Sequence, residues 1–85
     1  MHKRDVEKFL QYPESDLVNF AIARANLTHR EHQAVTLCGM QGMTQAEAAE
    51  TLDRDWKTVQ RWYSSGMKKL QECWSSSNWI LKLIN

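Results

Sequence analysis

The chain has 85 residues, of which a quarter are charged, and it carries a net charge of +1 with a sequence pI of about 7.8. This length allows one small domain over residues 1–85. The near-neutral charge counts against a chain that coats nucleic acid indiscriminately and leaves room for a local basic face. No window holds the ~18 apolar residues of a membrane span, and a mixed polar sequence, not a signal segment, follows Lys3 and Arg4. We therefore expect a cytoplasmic protein with no membrane partner.

The first predicted helix covers residues 3–12, where Val6, Phe9 and Leu10 recur on one side. Pro13 ends this helix because proline cannot continue it. Pro13 can also open a second helix, since its fixed φ suits a first helical turn. Two short amphipathic helices are therefore expected before the middle of the chain.

The second predicted helix ends near Asn26, and its inward positions are Leu17, Phe20, Ala21 and Ala25. Neither of the first two helices carries a motif that predicts chemistry. We interpret residues 1–26 as supporting helices that complete the core of a small domain. A surface that binds a partner is the alternative interpretation.

A capping box predicts the start of a third helix. The hydroxyl of Thr28 and the carboxylate of Glu31 would satisfy backbone donors that the helix leaves free. Gly39 and the residues up to Gly42 mark its end, and its apolar positions are Val35, Leu37 and Cys38. We expect this helix to brace the segment that follows.

A pair of helices joined by a very short turn is predicted next. Thr44 and Glu47 form a second capping box, so the first helix of the pair begins at Gln45. Its apolar face consists of Ala46, Ala49 and Leu52, and small alanines let a second backbone approach closely. Asp55 is a good N-cap for the second helix, residues 56–70, after a polar turn. The inward positions of that helix are Val59, Trp62 or Tyr63, Gly66 and Leu70.

The charges of this pair are segregated. The charged residues of the first helix and turn, up to Asp53, are all acidic, whereas residues 56–70 contain Lys57, Arg61, Lys68 and Lys69 and no acid. A short helix, a short turn and a second helix with a basic outward face are typical of a helix-turn-helix that enters the DNA major groove. A solvated helix face is the alternative for the basic residues taken alone.

Four runs of the sequence resemble the fourth region of bacterial sigma factors. They are Leu27–Leu37, Gly42–Leu52, Lys57–Arg61 and Lys68–Leu70, and they contain the LTxRE opening, the G-x-[ST]-x-x-E-A-A-x-x-L helix and the TV pair in the family's order. They are equally similar to the output domains of response regulators and quorum-sensing activators. The resemblance covers residues 27–70 and implies an all-α bundle of about five to six helices, of bacterial or phage origin. We expect a sigma-like piece standing alone, without the other sigma regions.

The sequence departs from this family pattern in two places. The turn and the first residue after it, residues 53–56, are polar or aromatic, where the family has a small or apolar residue and a serine-like cap. Gly66 stands where the family prefers alanine or an aliphatic residue, at a cost of about 1 kcal/mol of helix propensity. We expect the register of the helix pair to be kept.

The early half of the helix over residues 56–70 would enter the major groove. Arg61 can bond a guanine bidentately and Gln60 an adenine. The helix start at Thr44 and Gln45 offers backbone donors for a phosphate, and Trp56 either packs on the turn or contacts a sugar or a thymine methyl. The predicted DNA-binding residues are Thr44, Gln45, Trp56, Lys57, Thr58, Gln60, Arg61, Ser64 and Lys68.

Two further side chains have roles that depend on the resemblance. In the resembling domains the arginine at the position of Arg30 lies near the DNA backbone; a surface ion pair with a neighbouring acid is the alternative. Lys69, like Lys68, is expected to stay near the DNA backbone, with a solvated helix end as the alternative.

The tail, residues 75–85, is the least determined part of the chain. Residues 71–74 extend the preceding helix to complete a core of residues 27–74, three serines break it, and Asn78 caps a last short helix. Trp79, Ile80, Leu83 and Ile84 are too apolar to be left in water. They either fold back on the core, for example against the first helix, or form a homodimer; a loose strand is the third alternative.

The two cysteines, Cys38 and Cys73, are interpreted as reduced and partly buried thiols. A zinc site would have to recruit them together with His29 and His32, without the paired-cysteine spacing that such sites have. We therefore expect no metal and no cofactor.

The leading functional hypothesis is a sequence-specific regulator of transcription that binds double-stranded DNA. As the resemblance implies, it would also contact RNA polymerase. The first alternative is the DNA-recognising small subunit of a phage packaging terminase. The second is a protein-binding module that acts on RNA polymerase or a sigma factor. No acid pair, nucleophile with base, or phosphate-binding glycine loop is visible, so we do not expect an enzyme.

Overall fold

A computed structural model describes residues 1–84, so Asn85 lies outside the described residues. Within this range the chain consists of six helices and no strand, which confirms the all-α prediction. None of these helices is long and apolar enough to cross a membrane. The helices are α1 (Lys3–Leu10), α2 (Ser15–Ala23), α3 (His29–Ala34, continued as a π-helix over Val35–Met40), α4 (Gln45–Leu52), α5 (Trp56–Trp74) and α6 (Asn78–Ile84).

Helix α5 is the longest element, and every core cluster includes part of it. Its inner side is buried at Val59, Gly66, Met67, Leu70 and Trp74. The larger cluster joins α5 to α1, α2 and α6, and the smaller one joins it to α3 and α4. The half-buried Tyr63 packs against both clusters, and burial raises its pKa to about 12. Because α5 spans both clusters, its axis determines where the other helices lie.

The smaller cluster is built from small residues. Ala34, Ala48, Ala49 and Val59 are buried in it, so α3, α4 and α5 approach closely. The prediction that Ala46 faces inward is wrong, because it lies about 200° around the helix from Ala48 and is exposed. The buried side of α4, centred between Ala48 and Ala49, therefore lies about 110° around the helix from Ala46.

Helix α1 confirms its predicted core side chains, since Val6, Phe9 and Leu10 are buried. The ring of Phe9 meets the indole of Trp74 edge-on, with centroids 5.0 Å apart. The indole Nε1–H of Trp74 donates to the carbonyl of Ala21, 3.0 Å away, and so ties α5 to α2. The largest buried side chain thus has its polar atom satisfied, as a buried tryptophan requires.

Helix α2 differs from the prediction in its limits and its buried side. It begins at Ser15, after Pro13, and it ends at Ala23, before Asn26. Phe20 is 57% exposed, and the buried residues are Val18, Ala21 and Ile22. These three recur at the i, i+3, i+4 spacing of one helix face, which leaves Phe20 outside it.

The tail folds back on α1. Ile80 and Ile84 are buried in the larger cluster, and Nζ of Lys8 donates to the carbonyl of Ile84 at 2.9 Å. This is the first of the alternatives that the sequence left open. Trp79 and Leu83 remain 36% and 38% exposed, and dimerisation through them stays a prediction that sedimentation would test.

Glu31 is the one charged residue buried in the described part of the chain. Its Oε1 accepts from the backbone N–H of Thr28 and from Nζ of Lys69, both at 2.8 Å. Its Oε2 accepts from the hydroxyl of Ser65. Burial by itself would raise the pKa of Glu31, but these hydrogen bonds and the Lys69 charge outweigh it and lower the pKa from 4.5 to about 2.

Gly66 lies at the closest approach of α3 and α5. A Cβ at this position would lie 2.7 Å from Cγ2 of Val35 and 3.4 Å from the carbonyl oxygen of Glu31. A side chain here would therefore force the Val35 side chain or the two helices to move. The glycine lowers the helix propensity of α5, but because it has no side chain it allows the contact between Glu31 and α5.

The third helix continues past its predicted end. Residues Val35–Met40 form a π-helix, which includes Gly39. The N–H of Gln41 donates to the carbonyl of Thr36 at 3.0 Å, which is the i to i+5 pattern of such a turn. Gly39 packs under Leu10, whose Cδ1 would lie 2.6 Å from an added Cβ. Gly39 therefore lets α1 approach this helix and does not end it.

We expect Glu31→Gln to lower the free energy of unfolding by about 3 kcal/mol at pH 7. A carboxylate with a lowered pKa stabilises the fold above its unfolded pKa of 4.5, and this contribution is lost as the pH falls towards about 2. The difference between the two proteins should therefore shrink below pH 4.5, as measured by urea denaturation across that range. The control Glu50→Gln, at an exposed carboxylate, should change stability by less than about 0.5 kcal/mol. A constant difference at all pH values would contradict the assignment.

We expect Gly66→Ala to destabilise the protein by about 1–3 kcal/mol through overpacking, although alanine is the better helix former. The penalty should shrink in a Val35→Ala background, because the clashing methyl group is then absent. Ser64→Ala, on the exposed side of the same helix, is the control. Denaturation midpoints for the four variants give the coupling, and a stabilised Gly66→Ala protein would refute the close approach.

Candidate nucleic-acid interface

The turn between α4 and α5 comprises residues 53–55. Asp53 takes a left-handed conformation, with φ 54° and ψ 49°, which aspartate tolerates better than most residues. The N–H of Arg54 donates to the carbonyl of Ala49 at 3.0 Å. Oδ1 of Asp55 accepts from the N–H of Thr58 at 2.7 Å, and this hydrogen bond lowers the pKa of Asp55. The predicted N-cap is confirmed, and the polar turn closes the helix pair.

The outward side of α5 is an exposed strip, which we call the basic strip and define as Lys57, Gln60, Arg61, Ser64 and Lys68. All five residues are exposed. At about 100° per residue they lie within an arc of about 100° on the side opposite Gly66. The only ion pair in residues 1–84 joins Lys69 to Glu31, so none of the three cations of the strip is ion-paired there. After the Thr58 hydrogen bond, the charges of Arg61 and Lys57 also help to lower the pKa of Asp55.

Lys69 does not belong to this strip. Its Nζ is bonded to Glu31, and its side chain is 40% exposed. Lys68 and Lys69 are neighbours in sequence, yet they point in directions about 100° apart. One therefore stabilises the fold, and the other is available to a ligand.

Thr58 and Trp56 occupy intermediate positions at the start of α5. Thr58 is half-buried, and its N–H is already used by the cap. Trp56 is 49% exposed, and one side of it lines a groove with Ala46 and Ala49. The indole therefore packs partly on the helix pair and keeps about half of its surface open.

At the start of α4, two of the backbone N–H groups that could bind a phosphate are already used by the capping box. The N–H of Thr44 donates to Oε1 of Glu47 at 2.9 Å, and the N–H of Glu47 donates to the hydroxyl of Thr44 at 3.1 Å. These bonds lower the pKa of Glu47, so its carboxylate is charged at neutral pH. A phosphate here would have to use the backbone N–H groups of Gln45 and Ala46.

Arg30 makes two contacts that were not considered from the sequence, and its place near the DNA backbone stays a prediction. Its Nη1 donates to Oε1 of Gln33 at 3.1 Å, and its guanidinium lies over the ring of Trp62, 5.4 Å from the centroid. The predicted ion pair does not occur within residues 1–84. The cation–π contact instead ties the start of α3 to the flank of α5.

The histidines and cysteines considered for a zinc site are dispersed. His29 and His32 are exposed, and both Cys38 and Cys73 are half-buried free thiols. Burial raises the pKa of Cys38. In the described residues 1–84, no three His, Cys, Asp or Glu side chains are grouped to hold a metal.

Sequence reasoning missed the part that Glu31 plays in positioning this interface. The signal was present, because Ser65 and Lys69 are four residues apart and therefore share a helix face. That face differs from the basic strip. The hydroxyl of Ser65 and the ammonium of Lys69 are donors that a buried carboxylate on another helix can accept from. Pairing them required knowledge of how α3 crosses α5.

One comparison with known proteins, a family model, agrees with this geometry. The family model described as "Sigma-70, region 4" matches residues 23–70, which is more than half of the chain. No match was found among curated proteins or among solved structures. The matched range contains α3, α4, the turn and α5 up to Leu70, and it excludes α1 and α6. The chain belongs to the sigma-70 region 4 family of DNA-binding helix-turn-helix domains.

Proposed function

We propose that this protein is a sequence-specific regulator of transcription that places α5 in the major groove of double-stranded DNA. The observation that carries the proposal is the basic strip: three exposed cations, with no acid between residues 56 and 70. A helix-turn-helix inserts its second helix in this way. The opposite side of α5 is buried, so the strip is the surface that the helix presents.

The strip contains groups suited to both kinds of DNA contact. The guanidinium of Arg61 and the amide of Gln60 can bond base edges, guanine and adenine respectively. Lys57 and Lys68 flank them along about three turns of helix and are placed to neutralise phosphates. Base contacts in the middle and cations at both ends would fix the register of the helix on DNA.

RNA polymerase is the proposed protein partner. The support is membership of the sigma-70 region 4 family, since sigma factors act together with the polymerase. The helices outside the matched range, α1 and α6, cover one side of the domain and leave the basic strip open. DNA binding and polymerase binding would therefore use different surfaces.

We expect the protein to bind a fluorescently labelled DNA duplex with an affinity that falls steeply as salt rises. Neutralisation of three phosphates gives a slope of log K against log salt of about −3. Anisotropy titrations at two salt concentrations measure it. Replacing Lys57, Arg61 and Lys68 by Gln should nearly abolish the slope and reduce low-salt affinity roughly tenfold or more.

The matched control removes the same charge elsewhere, at the exposed residues Lys3, Arg4 and Lys82. This control variant should keep most of the slope. If both triple variants lose binding equally, the effect is one of net charge and the basic strip is not the interface. If the unaltered protein fails to bind at low salt, the DNA proposal is wrong.

We expect Arg61→Ala to remove discrimination at one base pair of the preferred site, by about 5- to 150-fold, because a bidentate guanine contact is lost. Selection from a random duplex library, with both proteins, identifies that position. Lys68→Ala should instead weaken binding to all sequences alike. An unchanged selected sequence with Arg61→Ala would show that α5 is placed differently on DNA.

A further inference from the structure

A groove lies between α4 and the start of α5, beside the basic strip. Its floor is formed by Ala46 and Ala49, and Trp56 forms one wall. Most of its lining is apolar. The indole of Trp56 is 49% exposed. Such a groove can accept the aliphatic part of a long side chain.

The rim of the groove carries the opposite charge to the basic strip. Glu50, Asp53 and Asp55 line it, and all three are exposed. The carboxylates of Glu50 and Asp53 accept no hydrogen bond from residues 1–84, and Asp55 uses only Oδ1, for its cap. At least two carboxylates are therefore free to bind a cation, and they share the groove lining with the indole of Trp56.

Arg54 is the one cation in this lining, and it does not form an ion pair with the acids of the groove. Its Nη1 donates to the backbone carbonyl of Asp53 at 2.9 Å, and it forms no salt bridge there. The lining residues thus keep two net negative charges, from three acids and one arginine. The charge of the groove favours a cationic occupant over DNA or any other anion.

We propose that this groove is a docking site for an arginine side chain of a basic protein segment. The guanidinium stacks on Trp56 and is bonded by Glu50 and Asp53, while its methylene groups lie on Ala46 and Ala49. Arginine suits this site better than lysine because its planar group both stacks on aromatic rings and bonds carboxylates through a fork of donors. This interaction is additional to DNA binding and does not depend on it.

The test uses the full chain, labelled with ¹⁵N, and a capped Gly-Arg-Gly-Arg-Gly peptide as the probe. Saturable chemical-shift changes are expected at the indole of Trp56 and along the groove. The same peptide with citrulline, which is neutral and of nearly the same shape, should bind on the order of tenfold more weakly or not at all. The lysine peptide should fall between the two.

The decisive variant is Glu50→Gln with Asp53→Asn, since asparagine also tolerates the left-handed conformation at that position. It should weaken binding of the arginine peptide about tenfold, whereas Arg54→Gln should strengthen it. The matched control, Glu14→Gln with Asp16→Asn, removes two exposed acids at the start of α2, one at its N-cap and one in its first turn. Equal weakening by both double variants, or shifts spread over the surface, would overturn the proposal.

Discussion

The structure depends on one buried carboxylate. Glu31 caps α3 through Thr28 and, with the same two oxygens, holds Ser65 and Lys69 of α5. A buried charge is costly unless all its bonding capacity is used, so this network is satisfied only when α3 crosses α5 at one position. Gly66, in the same turn of α5, removes the side chain that would prevent this approach. Glu31 thus links the start of α3 to the place where α3 crosses α5.

The two sides of α5 have different roles because of this crossing. Its inner side joins both core clusters, and the edge that meets Glu31 uses Lys69 and Ser65. What remains is a strip of about 100° that no other helix covers. A helix of nineteen residues held along most of its length is rigid enough to present side chains in fixed register. The fixed positions of the exposed α5 side chains therefore result from the packing of the buried side of the same helix.

Local signals in the sequence correctly predicted the starts of α3, α4 and α5. The capping boxes at Thr28 and Thr44 and the N-cap at Asp55 involve residues only three apart, so their hydrogen bonds form whenever the helix forms. The predicted cap at Asn78 is wrong, because α6 already begins at Asn78, and α2 begins at Ser15 and not at Pro13. The side that each short helix buries was harder to predict. Phe20 and Ala46 were placed inward, and both are exposed. A helix of eight or nine residues has too few apolar positions to define its phase when several faces are apolar.

Features that depend on pairs of distant residues could not be predicted. The glycine at position 66 suggested only a cost in helix propensity. Its advantage, room for the close approach of Val35, involves a residue 31 positions away in sequence. The contact between Glu31 and Lys69 spans 38 residues. The candidate DNA residues were easier, since the exposed positions of α5 follow from its period alone. Thr58 is the exception, because it is half-buried against the turn.

The separation of charge across the turn favours one orientation of the domain relative to DNA. Acids lie along α4 and the turn, cations lie along α5, and the two groups meet at Trp56 and Lys57. A phosphate backbone approaching the helix pair is attracted to one side and repelled from the other. Such complementarity acts on orientation and rate of encounter more than on final affinity. The acidic groove therefore disfavours a phosphate backbone directly over its lining. In the proposed binding mode, with α5 in the major groove, the groove would remain available to a basic protein segment.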